Sequence, residues 1–243
     1  MSHLRHTTVS TLRVIFALER SGAPEGAQFI LDFLLGQELT SDDESYVNAH
    51  ALLAIGSMRN QAVVSRVAEF IAAGNHPRVR ISAANAIVSL AGTDTQVFKS
   101  AAELIFDFYD KQVEYTQNGN TGLLLHEIVE AILAVDSPRS RQIVSELVRR
   151  GGESYTTDAI IEYLDLRQDQ GGLADLSVIA RQEDAYALPS RLAAAVYLAS
   201  SDQPFEHLSS ELIASMVEEA RRDEWPAEIV AESKKLQDMV SGL

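Results

Sequence analysis

Residues 77–94, PRVRISAANAIVSLAGTD, recur in weaker form along the chain, and this recurrence restricts the possible folds more than any other property of the sequence. Val79, Ala83, Ile87 and Leu90 share one face of a helix. Ala84, Val88 and Ala91 form a second apolar face beside it. A helix apolar on two sides has to be covered on two sides, by a partner helix and by a neighbouring unit. Its alanines let backbones approach closely. Pro77 suits the first turn, where its missing N–H removes no hydrogen bond. Gly92 is expected at the stop, in the positive-φ position that ends many helices.

A shift of 35 places Tyr46 on Ile81, Ala49 on Ala84, Leu52 on Ile87, Leu53 on Val88 and Ile55 on Leu90. A shift of 108, three units of 36, places Ala194 on Ala86, Val196 on Val88, Leu198 on Leu90 and Asp202 on Asp94. Between these copies the pattern predicts further helices. Residues 8–20 carry Val9, Leu12, Ile15 and Phe16, and Ser21-Gly22 stops them. A helix from Pro24 carries Phe29, Ile30, Phe33 and Leu34, ended by Gly36. Ser41-Asp42-Asp43-Glu44 reads as a capping box at the start of the helix over 46–58, in preference to a metal site. Partner helices are expected over 61–73, ended by Gly74, and over 95–115, followed by a flexible joint at 116–122.

Residues 123–135 repeat the apolar phase with Leu124, Ile128, Ala131, Ile132 and Val135. Ser137-Pro138 is an N-cap followed by proline at the first position, opening a helix to Arg150 that Gly151-Gly152 breaks. Helices over 155–166 and 173–181 form a shorter pair around Gly171-Gly172. Residues 189–199 return to the organising pattern, with 206–222 as partner, and 226–240 form a last, polar helix.

A helix pair every 35 to 45 residues, with no strand pattern, predicts an all-α solenoid. Pro77, Val79, Arg80, Ala83, Ala84, Ile87 and Leu90 spell P-x-V-R-x-x-A-A-x-x-L/I-x-x-L, which resembles the HEAT-repeat family. The resemblance is strong there, fair at 46–58 and 189–199, and weak elsewhere. It implies a right-handed α-solenoid of about six antiparallel helix pairs, one domain over 1–243 with 225–243 as a capping helix. It also implies that second helices line a concave, partner-gripping face, and that Arg80 serves packing between units.

Composition narrows the function. Forty-six per cent hydrophobic residues over 243 positions support a real core, and no apolar run reaches membrane-spanning length. The apolar run 14–18 is too short for a secretion signal, so the expectation is cytoplasmic and not membrane-bound. An Ala- and Arg-rich composition with four lysines suggests a bacterial source. With no cysteine, disulfides, thiolate catalysis and Cys-based zinc sites are excluded. Twenty basic against thirty-five acidic residues give a net charge of −15, which repels phosphate backbones and favours a basic protein partner over nucleic acid.

Motifs for chemistry are sparse. His126 and Glu130 share one helical turn, but the second histidine of H-E-x-x-H is missing. His3 and His6 lie near the terminus. No nucleophile elbow or phosphate-binding glycine loop is present. HEAT-like DNA glycosylases need a basic groove and base-holding aromatics; this chain has one tryptophan, Trp225, and the opposite charge. Bilin lyases, another HEAT-like class, are not singled out by any residue. The expectation is therefore a non-enzymatic chain with no metal and no cofactor.

The more informative signal lies on the second helices. Lys99, Glu103, Asp107, Asp110 and Glu114 form one polar stripe, four of them acidic. Glu25, Asp32, Glu69, Glu146, Glu211, Glu218 and Arg222 occupy comparable outward positions, and Arg139, Arg141, Arg149 and Arg150 make a smaller basic group on one helix. The expected function is a scaffold that grips a basic partner protein through an acidic concave face. Glu69, Glu103, Asp107, Asp110, Glu114, Glu146 and Glu218 are the expected contacts. A bacterial inhibitor or immunity protein that masks a basic toxin is its concrete form, and an assembly adaptor or regulatory scaffold is the alternative.

Overall fold

The structure, a computed structural model, describes residues 2–33, 42–117, 125–151, 154–167, 169–201 and 208–241. Among these residues every regular element is helical, and thirteen α-helices are present. They fall into two compact units, Met1–Asp136 and Ser137–Leu243.

The first unit holds α1 (Ser2–Ser21), α2 (Pro24–Phe33), α3 (Asp42–Ser57), the short α4 (Val64–Val67), α5 (Pro77–Leu90), α6 (Gln96–Gln117) and α7 (Leu125–Val135). Alternate helices pack on one another: α1 on α3, α3 on α5, α5 on α7. The elements between them fill the other layer, α2 against α3, α4 against α5, and α6 against both α5 and α7. α5 buries nine of its fourteen residues, among them Val79, Ala83, Ala84, Ile87 and Leu90, as two-sided packing requires. Its approach to α3 is tight. A Cβ on Gly56 would stand 3.0 Å from the Cα of Ala86.

Several sequence expectations need correction in this unit. The partner element over 61–73 is not one α-helix. It runs as a 3-10 turn (Gln61–Val63), the single α-turn of α4, and a second 3-10 turn (Ala68–Ile71). Val63, Val64 and Val67 are β-branched and poor helix formers, and side chains supply what a longer helix would. Asn60 caps the start by accepting from the Ala62 N–H, Asn75 donates to the Phe70 carbonyl, and Arg80 Nε donates to that of Ile71. Gly92 does not adopt positive φ. α5 ends because Ala91 turns extended (φ −89, ψ 146), and Thr95 then caps α6, its hydroxyl accepting from the Phe98 N–H and donating to the Gly92 carbonyl. Among the described residues of this unit, positive φ follows α1 at Gly22, α3 at Arg59 and α7 at Asp136. Val9 and Phe16 of α1 and Phe29 of α2, read as core-facing, are exposed. The expected joint at 116–122 begins inside α6, which continues to Gln117; its residues 118–122, like Ser41, Leu34 and Gly36, lie outside the described residues.

The second unit holds α8 (Pro138–Arg150), α9 (Ser154–Arg167), α10 (Gln170–Arg181), α11 (Leu188–Ala199), α12 (Ser210–Arg222) and α13 (Ala227–Ser241). Here α9 packs on α11 and α11 on α13, while α10 packs on α8, α9 and α11. α8 has the expected bounds. The Ser137 hydroxyl accepts from the Ser140 N–H, the Ser140 hydroxyl accepts from the Ser137 N–H, and Gly151 leaves the helix at φ 75. Gly171 and Gly172 do not break the α9–α10 pair. They form the first turn of α10, because Asp169 caps it through the Gly172 N–H at 2.8 Å.

The organising pattern recurs in α11 at a register different from the one sequence matching suggests. Arg191 lies 111 positions after Arg80. Both arginines donate from Nε to a carbonyl at the end of the preceding element, Ile71 for Arg80 and Ala180 for Arg191. That shared role aligns Ala83 with Ala194, Ala84 with Ala195 and Ile87 with Leu198, and all six are buried. A shift of 108 matches apolar letters equally well but separates the two arginines.

Candidate partner-binding faces and a three-helix cleft

α6 is sharply two-sided. Ala101, Ala102, Ile105, Phe106 and Tyr109 are buried, while Lys99, Glu103, Asp107, Asp110 and Lys111 are exposed. Glu103, Asp107 and Asp110 recur at spacings of four and three, so the helix brings them onto one face. Lys111 Nζ donates to Asp107 at 2.6 Å and offsets part of that charge. Glu114 continues the spacing along α6, and its side chain lies outside the described residues.

The other expected contacts lie on other elements. Glu69 is exposed on the second 3-10 turn of the first unit. Glu146 is half-buried on α8, accepting from Gln142 at 3.1 Å, and Glu218 is exposed on α12. Glu218 borders a polar recess of about 150 Å³ with Glu183, Ser215, Glu219 and Arg222. Of the further acids, Asp32 pairs with Arg66 at 2.6 Å and accepts from Gln28. Those hydrogen bonds, Gln28 first, hold its carboxyl below the usual range.

A buried ion pair anchors the second unit. The Arg191 side chain is 1% exposed, and its guanidinium meets Glu219 at 2.6 Å while donating to the Ala180 carbonyl. Removing one partner of such a pair leaves a charge without compensation, a loss of about 3–5 kcal/mol. Arg80, half-buried, lies with its guanidinium 5.1 Å from the Phe108 ring centroid, which ties α5 to α6. The packing role implied by the repeat resemblance is thus visible in both arginines.

A contiguous side-chain ladder in the first unit has no counterpart among the sequence expectations. Phe16 of α1 meets His50 of α3 edge-on at 6.1 Å, and His50 meets Tyr46 at 4.3 Å. Arg78 of α5 lies 5.8 Å from the Tyr46 centroid and 3.3 Å from Glu127 of α7. Burial, then the nearby Arg78, pushes the His50 imidazole below its usual pKa. The available signal was phase: Tyr46 aligns with the buried Ile81, yet a tyrosine there can turn outward because its hydroxyl prefers water.

The α8–α9–α10 corner encloses a half-open cleft of about 70 Å³, floored by Val144 and Leu164. Arg141 and Ser145 of α8, Tyr163 and Arg167 of α9, and Asp175 of α10 supply most of its polar rim. Ser145 donates to Asp175 at 2.6 Å. Burial pushes the Asp175 carboxyl up, with the serine hydroxyl and Arg149 opposing. Arg167 donates to the Tyr163 hydroxyl and pairs with Asp169. Tyr186 donates to the Val148 carbonyl at 2.6 Å, and burial together with Asp175 pushes its phenol up to about 12. Arg139, Arg141, Arg149 and Arg150 are all exposed on α8.

His126 and Glu130 form one exposed pair at 3.2 Å. Among the described residues no group of three or more His, Cys, Asp or Glu side chains is placed to hold a metal ion, and no helix is long and apolar enough to cross a membrane.

No known protein family matches the sequence. No curated protein matches it either. Among solved structures, human deoxyhypusine hydroxylase in complex with glycerol is similar at 14% identity, covering 96% of this chain and 90% of that one with a TM-score of 0.32. That protein is an enzyme by its name, and the expectation that this chain is not an enzyme is withdrawn. The expectation rested on missing local motifs, whereas helices packed side by side can assemble a site from residues far apart in sequence. A likeness at this TM-score transfers neither a fold family nor an activity.

Proposed function

We propose that the chain is a HEAT-like helical scaffold that binds a basic protein through acidic helix faces. The observation that carries this reading is the α6 face, where Glu103, Asp107 and Asp110 stand exposed while Ala101, Ala102, Ile105, Phe106 and Tyr109 of the same helix are buried. The net charge of −15 acts in the same direction, steering cationic partners towards the surface. Alternate packing of α1, α3, α5 and α7, with α6 set between α5 and α7, supports stacked helix pairs as the scaffold. In its concrete form the protein is an inhibitor that masks a basic partner by charge and shape.

The test is capture from native lysate by the wild-type chain and by a Glu103→Lys, Asp107→Lys, Asp110→Lys triple variant, followed by affinity measurement on the captured protein. A net-basic partner is expected, bound at least about tenfold more weakly by the variant and more weakly at high salt. The helical circular dichroism signal should be unchanged. Equal affinity for wild type and variant, or a partner of net acidic charge, would overturn the reading.

A further inference from the structure

In the cleft between α8, α9 and α10, two opposite charges keep hydrogen-bonding capacity that the neighbouring side chains of the described residues do not fill, while its other polar groups satisfy one another. Arg167 is engaged by Tyr163 and Asp169, and Asp169 by the Gly172 N–H. Arg141, exposed on the rim, joins no side-chain hydrogen bond or ion pair among the described residues. Asp175, half-buried, receives the Ser145 hydroxyl on one oxygen; among the described residues the other receives no hydrogen bond.

The glycines of the cleft wall add a second observation. A glycine inside a helix costs about 1 kcal/mol relative to alanine. At Gly172 packing explains the choice, since a Cβ would stand 3.2 Å from the Leu164 carbonyl oxygen. At Gly171 packing does not explain it. A Cβ there would make one ordinary contact, 3.4 Å from Asp169 Oδ1. Gly171 borders the cleft, so the position without a side chain lies at its edge.

We infer that this cleft binds a small zwitterion of the α-amino acid class, its ammonium group on the Asp175 carboxylate and its carboxylate on the Arg141 guanidinium. The apolar floor of Val144 and Leu164 takes the short carbon segment between the two charges. The volume, about 70 Å³, is near half that of a cavity that holds benzene, about 150 Å³. That suits a ligand of glycine or alanine size, partly open to solvent. Ligands with one charge satisfy one end and leave the other unpaired, so the site discriminates by requiring both. Nothing in this inference depends on the acidic face of α6.

Isothermal titration calorimetry of the full chain tests it, with glycine and L-alanine as two-ended probes and acetate and methylammonium as one-ended ones. Saturable one-site binding of glycine or alanine is expected, at least about tenfold tighter than either one-ended probe. Asp175→Asn and Arg141→Ala should each weaken it at least about tenfold, with the helical signal retained. The α6 triple variant should bind the zwitterion like wild type, whatever becomes of its protein partner. Absence of saturable binding by both amino acids, acetate binding as tightly as glycine, or zwitterion affinity untouched by either substitution would each overturn the inference.

Discussion

At the scale of single residues, Asp175 shows how a binding group and a stability cost coincide. Its carboxyl is half-buried between α8 and α10, with one hydroxyl donor. Burial raises its pKa above the ordinary 3.8, so the folded chain holds the Asp175 proton more tightly than the unfolded chain does. A raised pKa contributes stability below the unfolded value, and that contribution is lost as pH rises through the folded value. At neutral pH the charged form is therefore a burden on the fold. Asp175→Asn keeps an acceptor for Ser145 and removes the buried charge. The variant is expected to melt above wild type at pH 7, with the gap closing as pH falls below the ordinary aspartate range. A variant that melts below wild type at neutral pH would show that the charge is better compensated than its surroundings indicate. Groups that lower stability in this way are common where a ligand completes the pairing.

At the scale of elements, the α3–α5 contact depends on the absence of one side chain. Gly56→Ala gains about 1 kcal/mol in helix propensity, but the new methyl would sit 3.0 Å from the Ala86 Cα. Backbone in the middle of a packed helix cannot yield alone, so the two helices must separate, at about 1–3 kcal/mol. A net loss of about 1 kcal/mol is expected in urea unfolding. Gly74→Ala, whose Cβ would meet nothing within 4 Å, should be neutral and serves as the control. Which parts of this organisation the sequence makes legible follows from how local each cause is. The bounds of α8 are readable because Ser137, Pro138 and Gly151 act within a turn of themselves. The α6 face is readable because a helical period alone sorts Glu103, Asp107 and Asp110 from Ala102, Ile105 and Tyr109. The start of α10 is misread because the Asp169 cap, together with packing against Leu164, outweighs two glycines. The cleft is not legible at all. Ser145 and Asp175 are 30 positions apart, and only the packing of α8 on α10 brings them together.

At the scale of the whole molecule, the excess of acid is the dominant long-range property. Thirty-five carboxylates against twenty cations leave −15, with a sequence pI near 4.7. The exposed pairs, such as Arg66–Asp32 and Lys111–Asp107, neutralise a few of these locally and add little to stability because solvent screens them. The remainder repel one another, which opposes compaction and speeds the approach of a cationic protein. Salt acts on both effects with opposite consequences. Raising ionic strength from about 0.01 M to about 0.15 M shortens the Debye length from about 30 Å to about 8 Å. Self-repulsion between distant carboxylates is then screened, whereas the buried Arg191–Glu219 pair, shielded from solvent, is affected far less. The free chain is therefore expected to melt a few degrees higher at the upper salt concentration, in scanning calorimetry at pH 7. Over the same range its affinity for a basic partner should fall. A melting temperature that drops with salt would show that surface ion pairs outweigh net repulsion, and the acidic excess would then be placed so that its charges are already paired rather than presented.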